Sequence, residues 1–221
     1  MQQSKIEWLI NQDGSQGYSV NPVKGLCPVA CPYCYARRMY KRFKWDPRLR
    51  YDPTSWLGIG SLRKPSRIFV GSTIDLFHDK IKEQWLRWIF EVPIGFPQHT
   101  FIFLTKRPQN LPKWNPWPDN CWVGMSATNM SQFGNLPVMG DVVAKVKFVS
   151  FEPLLDFTPP DLRWIDWVII GSQTQPVKHP ERAWVEEIIL AADKAGLPVF
   201  VKAPLSEHLG IQRKEIPKSQ L

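Results

Sequence analysis

The sequence contains no long hydrophobic run. Its uninterrupted apolar stretches are short, as in 167–170, whereas a helix needs roughly 20 such residues to cross a bilayer. The first ten residues carry polar and charged side chains where a signal peptide would have a continuous apolar segment. We therefore expect no membrane span and no secretion, and we predict a cytoplasmic protein.

Cysteine is scarce and unevenly placed. Only four cysteines occur in 221 residues, and Cys27, Cys31 and Cys34 fall within one short segment. This distribution does not suit the disulfide framework of a small secreted domain, and it favours a metal or cluster site in a reducing compartment. The fourth, Cys121, begins a predicted strand and shares its parity with Val123 and Met125, so we expect it to be a packed core thiol.

Acidic residues and low-complexity segments are also few. The 28 Lys and Arg exceed the 20 Asp and Glu, which leaves a formal net charge of +8. Clustered cations gain affinity for nucleic acid by releasing counterions, so this balance suits a polyanionic partner. No Gly/Ser tract divides the chain, and we predict a single domain over 1–221, with a cysteine loop at 25–35 and a polar tail at 210–221.

Short runs rich in Val, Ile and Phe alternate with amphipathic segments. This alternation is typical of an α/β fold in which crossover helices connect parallel strands, either as an open doubly wound sheet or as a barrel. The predicted buried strands are 19–23, 67–71, 100–105, 121–126, 147–151, 166–171 and 197–202.

Polar residues follow the ends of most of these strands. The active site of a barrel lies at the C-terminal ends of its strands, so this placement favours a partial or closed barrel. Helix capping is the alternative explanation for any one of them. The residues are Ser72, Asp75, Thr105, Lys106, Ser126, Glu152, Ser172 and Lys202.

The segment GLCPVACPYCY at 25–35 contains the spacing C-x3-C-x2-C. Three cysteines can hold a [4Fe-4S] cluster and leave one iron open for a reactant, whereas a closed zinc site needs four ligands. The candidates for a fourth ligand are Cys121 and four histidines, none of which belongs to a paired motif. An open cluster is the leading interpretation, with structural zinc and incidental thiols as alternatives.

This loop, with Tyr33 before the third cysteine and Tyr35-Ala36 after it, resembles the signature of the radical S-adenosylmethionine superfamily. Further segments are similar to a phage- and mobile-element-associated branch of it: NPVKG at 21–25, FVGSTIDLFH at 69–78, LTKRP at 104–108, VSFEPLL at 149–155 and VIIGS at 168–172.

The resemblance implies a partial (β/α)6-type, TIM-like barrel with about six to seven parallel strands. It also implies that Cys27, Cys31 and Cys34 hold a [4Fe-4S] cluster, and that S-adenosylmethionine is reductively cleaved to a 5′-deoxyadenosyl radical that attacks the substrate. Flavodoxin or ferredoxin is the implied electron donor. For Cys121, a radical-relay or hydrogen-donor role is the alternative to packing.

Site residues are carried over by position. The backbone around Tyr33 would meet the adenine, and Lys106 would offer a cation to the methionine carboxylate. The superfamily's Gly-Gly-Glu turn is absent here, and Ser72 and Asp75 would replace it as acceptors for the methionine amine. Ser126 and Glu152 are the candidates for binding the ribose hydroxyls and the methionyl group. Gly171 and Ser172 would allow the backbone to approach the adenine closely. The alternative to these binding roles is that Lys106 is a solvated loop residue and Glu152 only a turn residue.

A basic segment follows the cysteine loop. On a helix, one side would face the core and comprises Ala36, Met39, Tyr40 and Phe43. The outward side comprises Arg37, Arg38, Lys41 and Arg42. These cations are either simply solvated or bind a nucleic acid. Trp45, Tyr51 and Trp56 could stack on bases or belong to the core.

Nucleic acid or nucleotide modification or repair is the leading functional hypothesis. The same chemistry on a peptide or small metabolite is one alternative, and a non-catalytic, zinc-stabilised nucleic-acid-binding module is the other.

Overall fold

Twelve strands and five α-helices occur in residues 1–218, the part of the chain that the computed structural model describes. The last three residues of the predicted polar tail, 219–221, lie outside the described residues. The strands are β1 (Gln2–Gln3), β2 (Tyr18–Val20), β3 (Val23–Lys24), β4 (Arg50–Tyr51), β5 (Arg67–Val70), β6 (Thr100–Thr105), β7 (Cys121–Ser126), β8 (Val146–Phe151), β9 (Trp167–Ile170), β10 (Gln173–Thr174), β11 (Val177–Lys178) and β12 (Val199–Val201). The α-helices are α1 (Tyr35–Phe43), α2 (Glu83–Gly95), α3 (Met130–Phe133), α4 (Arg182–Lys194) and α5 (Leu205–Leu209). Short 3-10 helices cover Pro53–Trp56, Ile59–Ser61, Pro108–Asn110, Pro112–Trp114 and Leu136–Asp141.

Eight of these strands form one sheet in the order β1-β2-β5-β6-β7-β8-β9-β12. Seven of them are parallel, and β1 pairs antiparallel with β2 at one edge. The predicted α/β fold with about six to seven parallel strands is therefore confirmed. Because the strands are parallel, their C-terminal ends all lie along one edge of the sheet.

The sheet is curled around an N-terminal tryptophan. Strands β5 and β9 are four positions apart, which would separate them by roughly 19 Å in a flat sheet. The ring of Trp8 nevertheless lies 5.2 Å from that of Phe69 in β5 and 5.8 Å from that of Trp167 in β9. One indole can contact both strands only if the sheet curves, so its concave face is the interior of the partial barrel.

The two faces of the sheet have separate cores. On the outer face, Leu86 and Ile89 of α2 and Val185 and Ile188 of α4 pack against alternate strand residues. The inner face is a mainly aromatic cluster closed by Trp8. That cluster comprises Trp8, Leu9, Phe69, Ile102, Trp122, Phe148, Trp167, Ile169 and Phe200. Burial on both faces explains why the strands read as continuous apolar runs.

Gly124 leaves the space that the ring of Phe148 occupies in the inner aromatic cluster. A Cβ at this position would lie 2.4–2.5 Å from ring atoms of the fully buried Phe148. We expect Gly124→Ala to lower the free energy of unfolding by about 1–3 kcal/mol, because the ring has no space into which to move. Thermal unfolding measures this. The control is Gly95→Ala, since a Cβ there meets nothing within 4 Å; equal unfolding temperatures for the two variants would contradict the prediction.

The predicted strand 19–23 is divided into two. Strand β2 ends at Val20, and β3 pairs instead with β4, outside the main sheet. Pro22 stands between them and has no N–H to donate to a neighbouring strand, so the ladder is interrupted there. This interruption turns the chain out of the sheet just before the cysteine loop.

The described part of the polar tail packs against the sheet. Val201 N–H donates to the carbonyl of Arg213, and Trp167 Nε1 donates to the carbonyl of Glu215. Arg67, buried at the start of β5, donates to the carbonyls of Ile10 and Pro217. The tail therefore helps to close the barrel end opposite the strand C-termini.

No helix in residues 1–218 has both the length and the apolar character that a bilayer crossing requires.

Candidate active site

The cysteine loop runs from β3 to α1, and hydrogen bonds hold its first two residues in place. Gly25 begins it with a φ of +116°, and a Cβ there would lie 2.6 Å from the carbonyl oxygen of Arg48, so glycine is required. Gly25 N–H donates to Tyr40 Oη at 2.9 Å, and Leu26 N–H donates to the carbonyl of Pro47. These contacts fix the start of the loop against α1 and the segment that follows it.

The three cysteines of the loop are free thiols and only half-buried. Asp75 N–H donates to Cys27 Sγ at 3.4 Å, and burial raises the pKa of the Cys27 thiol. Arg37 donates to the carbonyl of Cys27 at 3.0 Å, which ties α1 to the loop. Ala30, between the first two cysteines, has a φ of 58°, an uncommon conformation for alanine. In residues 1–218 no three Cys, His, Asp or Glu side chains converge closely enough to hold a single metal ion.

Asp75 connects the cysteine loop to two strand ends. Its Oδ1 accepts from Thr105 Oγ1 at 2.7 Å and from Phe77 N–H at 3.1 Å, while its Oδ2 accepts from Lys106 N–H at 2.8 Å. Since its own N–H donates to Cys27, one buried residue joins the turn after β5, the end of β6 and the first cysteine. These hydrogen bonds hold the carboxylate of Asp75 between the two strand ends.

Asn21 organises the turn that contains Ser72. Its Oδ1 accepts from the N–H and the Oγ1 of Thr73, both at 3.0 Å, and its Nδ2 donates to Ser72 Oγ at 3.0 Å. Tyr35, the first residue of α1, donates its hydroxyl to the carbonyl of Ser72. The turn is thereby held close to the cysteine loop. Sequence reasoning did not single out Asn21 as a site residue, although it lies in the NPVKG segment.

Lys106 and Tyr33 face each other across the strand ends. Lys106 Nζ lies 5.7 Å from the centre of the Tyr33 ring, and burial lowers the pKa of Lys106, an effect that nearby Cys31, Asp75 and Glu152 oppose. Burial also raises the pKa of Tyr33, whose hydroxyl contacts Thr128 Oγ1 at 3.4 Å. A partly desolvated ammonium beside the loop is suited to binding an anionic group.

Glu152 forms an ion pair with Lys202 at the ends of β8 and β12. The pair is largely buried, and a Cβ on the neighbouring Gly171 would lie 3.1 Å from the Glu152 side chain. Burial raises the pKa of Tyr35, and both Cys34 and Glu152 add to that rise. Glu152 is therefore close to Tyr35, the residue that follows the third cysteine. The sequence marked Lys202 as a strand-end residue but did not indicate its partner.

Two serines lie side by side on the concave face. Ser126 pairs in register with Ser150, and both are buried. Because side chains alternate along a strand, they share the inner face with Trp122 and Phe148. They lie one step above the aromatic cluster, toward the strand C-termini. Ser126 therefore faces the inside of the barrel.

Ser172 and Cys121 lie outside this group. Ser172 Oγ is 2.8 Å from His179 Nδ1, and the His179 ring stacks on that of His208 with centroids 4.1 Å apart. Cys121 is fully buried at the N-terminal start of β7, and burial raises the pKa of its thiol. The structure therefore brings together the cysteine loop, Tyr33, Ser72, Asp75, Lys106, Glu152 and Gly171, with Ser126 below them.

The prediction for the helix after the cysteine loop is wrong on its apolar face. Of the four residues expected in the core, Ala36 is buried and Tyr40 is half-buried, but Met39 and Phe43 are exposed. The cause is that α1 hydrogen-bonds to loops, at Cys27, Ser72 and Gln175, and contributes no residue to either core of the sheet. Trp56 is buried against Phe101, so it cannot stack on a base.

The positive residues of the helix also differ from one another. Arg37 is half-buried on the carbonyl of Cys27, and Arg38 donates to the carbonyl of Gln175 in the β10–β11 hairpin. Arg38, Lys41 and Arg42 are all exposed, as expected. The first two cations therefore connect α1 to neighbouring loops, whereas Lys41 and Arg42 form no ion pair within the described residues.

Fold and site define a class: an α/β partial barrel with a three-cysteine loop at the C-terminal ends of its strands. The family model described as "Protein of unknown function (DUF5131)" matches residues 3–211, and the chain belongs to this family. No curated protein matches the chain.

Solved structures of spore photoproduct lyase share the fold. In complex with dinucleoside spore photoproduct, that enzyme is 10% identical with a TM-score of 0.56, over 86% of this chain and 77% of the other. A mutant with bound AdoMet and dinucleoside spore photoproduct is 11% identical with a TM-score of 0.50, over 86% and 65%. At this identity the likeness establishes the fold.

Proposed function

We propose that this protein is a radical S-adenosylmethionine enzyme whose Cys27, Cys31 and Cys34 hold a [4Fe-4S] cluster. The observation that carries the proposal is the position of the three-cysteine loop. It lies at the C-terminal edge of a curled parallel sheet, in a fold shared with a lyase structure that contains AdoMet. When bound, the cluster and S-adenosylmethionine supply a 5′-deoxyadenosyl radical for hydrogen abstraction.

The donor set fits such a cluster. Three unpaired thiols at this spacing leave one iron free for a ligand, and the Asp75 N–H bond to Cys27 Sγ is the kind of donor that stabilises a cluster thiolate. The loop 25–35 contains no acidic residue, and Lys106 adds a positive charge beside it. Because the three thiols are only half-buried, iron and sulfide can reach them from solvent.

The surrounding side chains have distinct tasks in this proposal. Lys106 binds the methionine carboxylate, because its ammonium is close to Cys31 and partly desolvated. Ser72, in the turn held by Asn21, accepts from the methionine amine, while Asp75 positions Cys27 and Lys106. Glu152 accepts from the ribose hydroxyls, with Lys202 holding its carboxylate in place.

The adenine side of the proposed site is built from backbone and small residues. The backbone at Tyr33 would contact the adenine, and Gly171, with Ser172 next to it, would permit close approach of the backbone to it. Ser126 lies beneath, where it would meet the ribose or methionyl group. The aromatic cluster below the serines keeps water out of the barrel interior, which protects a reactive intermediate.

The proposed substrate is a nucleic acid or nucleotide, which the enzyme modifies or repairs. The net charge of +8, the cations of α1 and the shared fold with a lyase solved with a dinucleoside support this choice. A cytoplasmic flavodoxin or ferredoxin would supply the electron. A peptide or small metabolite is the alternative substrate class, and a zinc-stabilised binding module is the alternative without catalysis.

The test is anaerobic reconstitution of the wild-type protein with iron and sulfide, followed by dithionite and S-adenosylmethionine. We expect 5′-deoxyadenosine and methionine, detected by chromatography, in the reconstituted sample and none in a sample loaded with zinc. A folded protein that takes up stoichiometric zinc but neither assembles a cluster nor cleaves S-adenosylmethionine would refute the enzyme proposal and favour the binding module.

A further inference from the structure

Three large apolar side chains lie exposed near the C-terminal end of α1. Met39, Phe43 and Trp45 are 36%, 51% and 47% exposed, and together we name them the α1 platform. The rings of Phe43 and Trp45 stack with centroids 5.4 Å apart and an interplanar angle of 23°. Since only Ala36 of this helix is buried, the platform contributes little to the core. Exposed apolar groups gathered in this way mark an interaction surface.

The cations around the platform are uncompensated. Lys41, Arg42 and Lys44 form no ion pair within the described residues, and the guanidinium of Arg42 lies 5.3 Å from the centre of the Phe43 ring. In contrast, the nearby Arg48 and Arg50 are both paired with Asp46. Helix α1 itself contains no acidic residue. The surface therefore combines stackable rings with unpaired positive charge.

The platform is within reach of the proposed site. Helix α1 begins directly after Cys34, and its nine residues span about 13 Å along the helix axis. Arg38, on the first turn, donates to the carbonyl of Gln175 at the edge of the strand C-termini. A strand bound at the platform would have its neighbouring nucleotides near the opening of the barrel.

We propose that the α1 platform binds single-stranded nucleic acid, with bases stacking on Phe43 and Trp45 and phosphates meeting Lys41, Arg42 and Lys44. Stacking platforms flanked by cations are the common means of binding single strands, whose bases are free to stack. A duplex keeps its bases paired and stacked internally, so it can offer only its phosphates. The inference rests on the proposed function, because it identifies the substrate class of that enzyme.

Binding can be measured by fluorescence anisotropy, with reconstituted protein and a labelled single-stranded DNA of about 20 nucleotides. We expect Phe43→Ala and Trp45→Ala each to weaken binding about tenfold, and Trp45→Phe to retain most of the affinity. Lys41→Gln and Arg42→Gln should each reduce the slope of log affinity against log salt by about 0.7. A duplex of the same sequence should bind more weakly.

Trp164 supplies the matched control. Its exposure of 45% is close to that of Trp45, and Lys147 lies 5.7 Å from its ring, but it precedes β9 at the opposite end of the sheet. We expect Trp164→Ala to bind DNA as the wild type does. Circular dichroism and thermal unfolding of every variant verify folding, so a loss of affinity can be assigned to the platform.

Three outcomes would overturn the inference: wild-type protein that fails to bind the single strand, platform variants that bind normally, or an equal loss in Trp164→Ala. Sedimentation that shows the platform variants changing a dimer into a monomer would assign the surface to a second copy of the chain instead. Deoxyadenosine formation is measured in the same preparations. If the wild-type protein binds DNA but forms no deoxyadenosine, the proposed chemistry is rejected and the platform is not. If it cleaves S-adenosylmethionine but does not bind DNA, the platform is rejected and the chemistry is not.

Discussion

Cys31→Ala is expected to abolish cluster assembly and to lower 5′-deoxyadenosine formation by more than about 100-fold. Only three thiols are available in the loop, so removal of one leaves too few protein ligands for a four-iron cluster. The substitution should leave the fold intact, because the side chain is half-buried and the Cys34 N–H bond to Cys31 uses the backbone carbonyl. Iron and sulfide analysis, visible absorption and product chromatography measure the effect.

Cys121→Ala is the matched control for that experiment. Cys121 is fully buried at the strand end opposite the loop, so we expect it to retain iron and product formation while losing about 1 kcal/mol of stability to a small cavity. Equal loss of product in both variants would point to a radical-relay or hydrogen-donor role for Cys121. A Cys31→Ala protein that keeps its iron and its activity would contradict the proposed ligand set.

Asp75→Ala is expected to lower the free energy of unfolding by about 2–4 kcal/mol, which corresponds to a fall of about 5–12 °C in Tm. The buried carboxylate accepts from Phe77 N–H, Thr105 Oγ1 and Lys106 N–H, and alanine leaves those donors without a partner. We also expect weaker binding of S-adenosylmethionine, because Asp75 holds the segments that carry Cys27 and Lys106.

Thermal unfolding of the protein before reconstitution separates the stability effect from cofactor binding. The exposed Asp119 supplies the comparison, since Asp119→Ala should change stability by no more than about 0.5 kcal/mol. An Asp75→Ala protein as stable as the Asp119→Ala protein would mean that water replaces the carboxylate in its three hydrogen bonds. The positioning role of Asp75 would then be wrong.

The strand pattern was accessible from sequence because burial on both faces leaves continuous apolar runs. Strands 100–105 and 121–126 were predicted with the bounds that the structure has. The interruption at Pro22 was missed, although the missing N–H of proline is itself a sequence signal. The aromatic filling of the barrel by Trp8 was not predicted either, because a lone tryptophan outside any strand carries no periodic signal.

The apolar face of α1 shows the limit of periodicity. Its spacing of Met39 and Phe43 correctly indicates one apolar side of a helix, but spacing does not indicate whether another layer covers that side. Here the helix lies beyond the sheet, and the face remains exposed. The same pattern in α4 is buried at Val185 and Ile188, because that helix lies on the sheet.

The sequence by itself determined the cysteine spacing, the α/β class and the edge of the sheet at which the polar residues collect, since each depends on residues close together in the chain. Only the tertiary structure decided that Asp75 joins Cys27 to Lys106 and that Glu152 pairs with Lys202, 50 residues away. Such contacts depend on which strands become neighbours and on how far the sheet curls. Those are set by the packing of the whole chain, which no local pattern records.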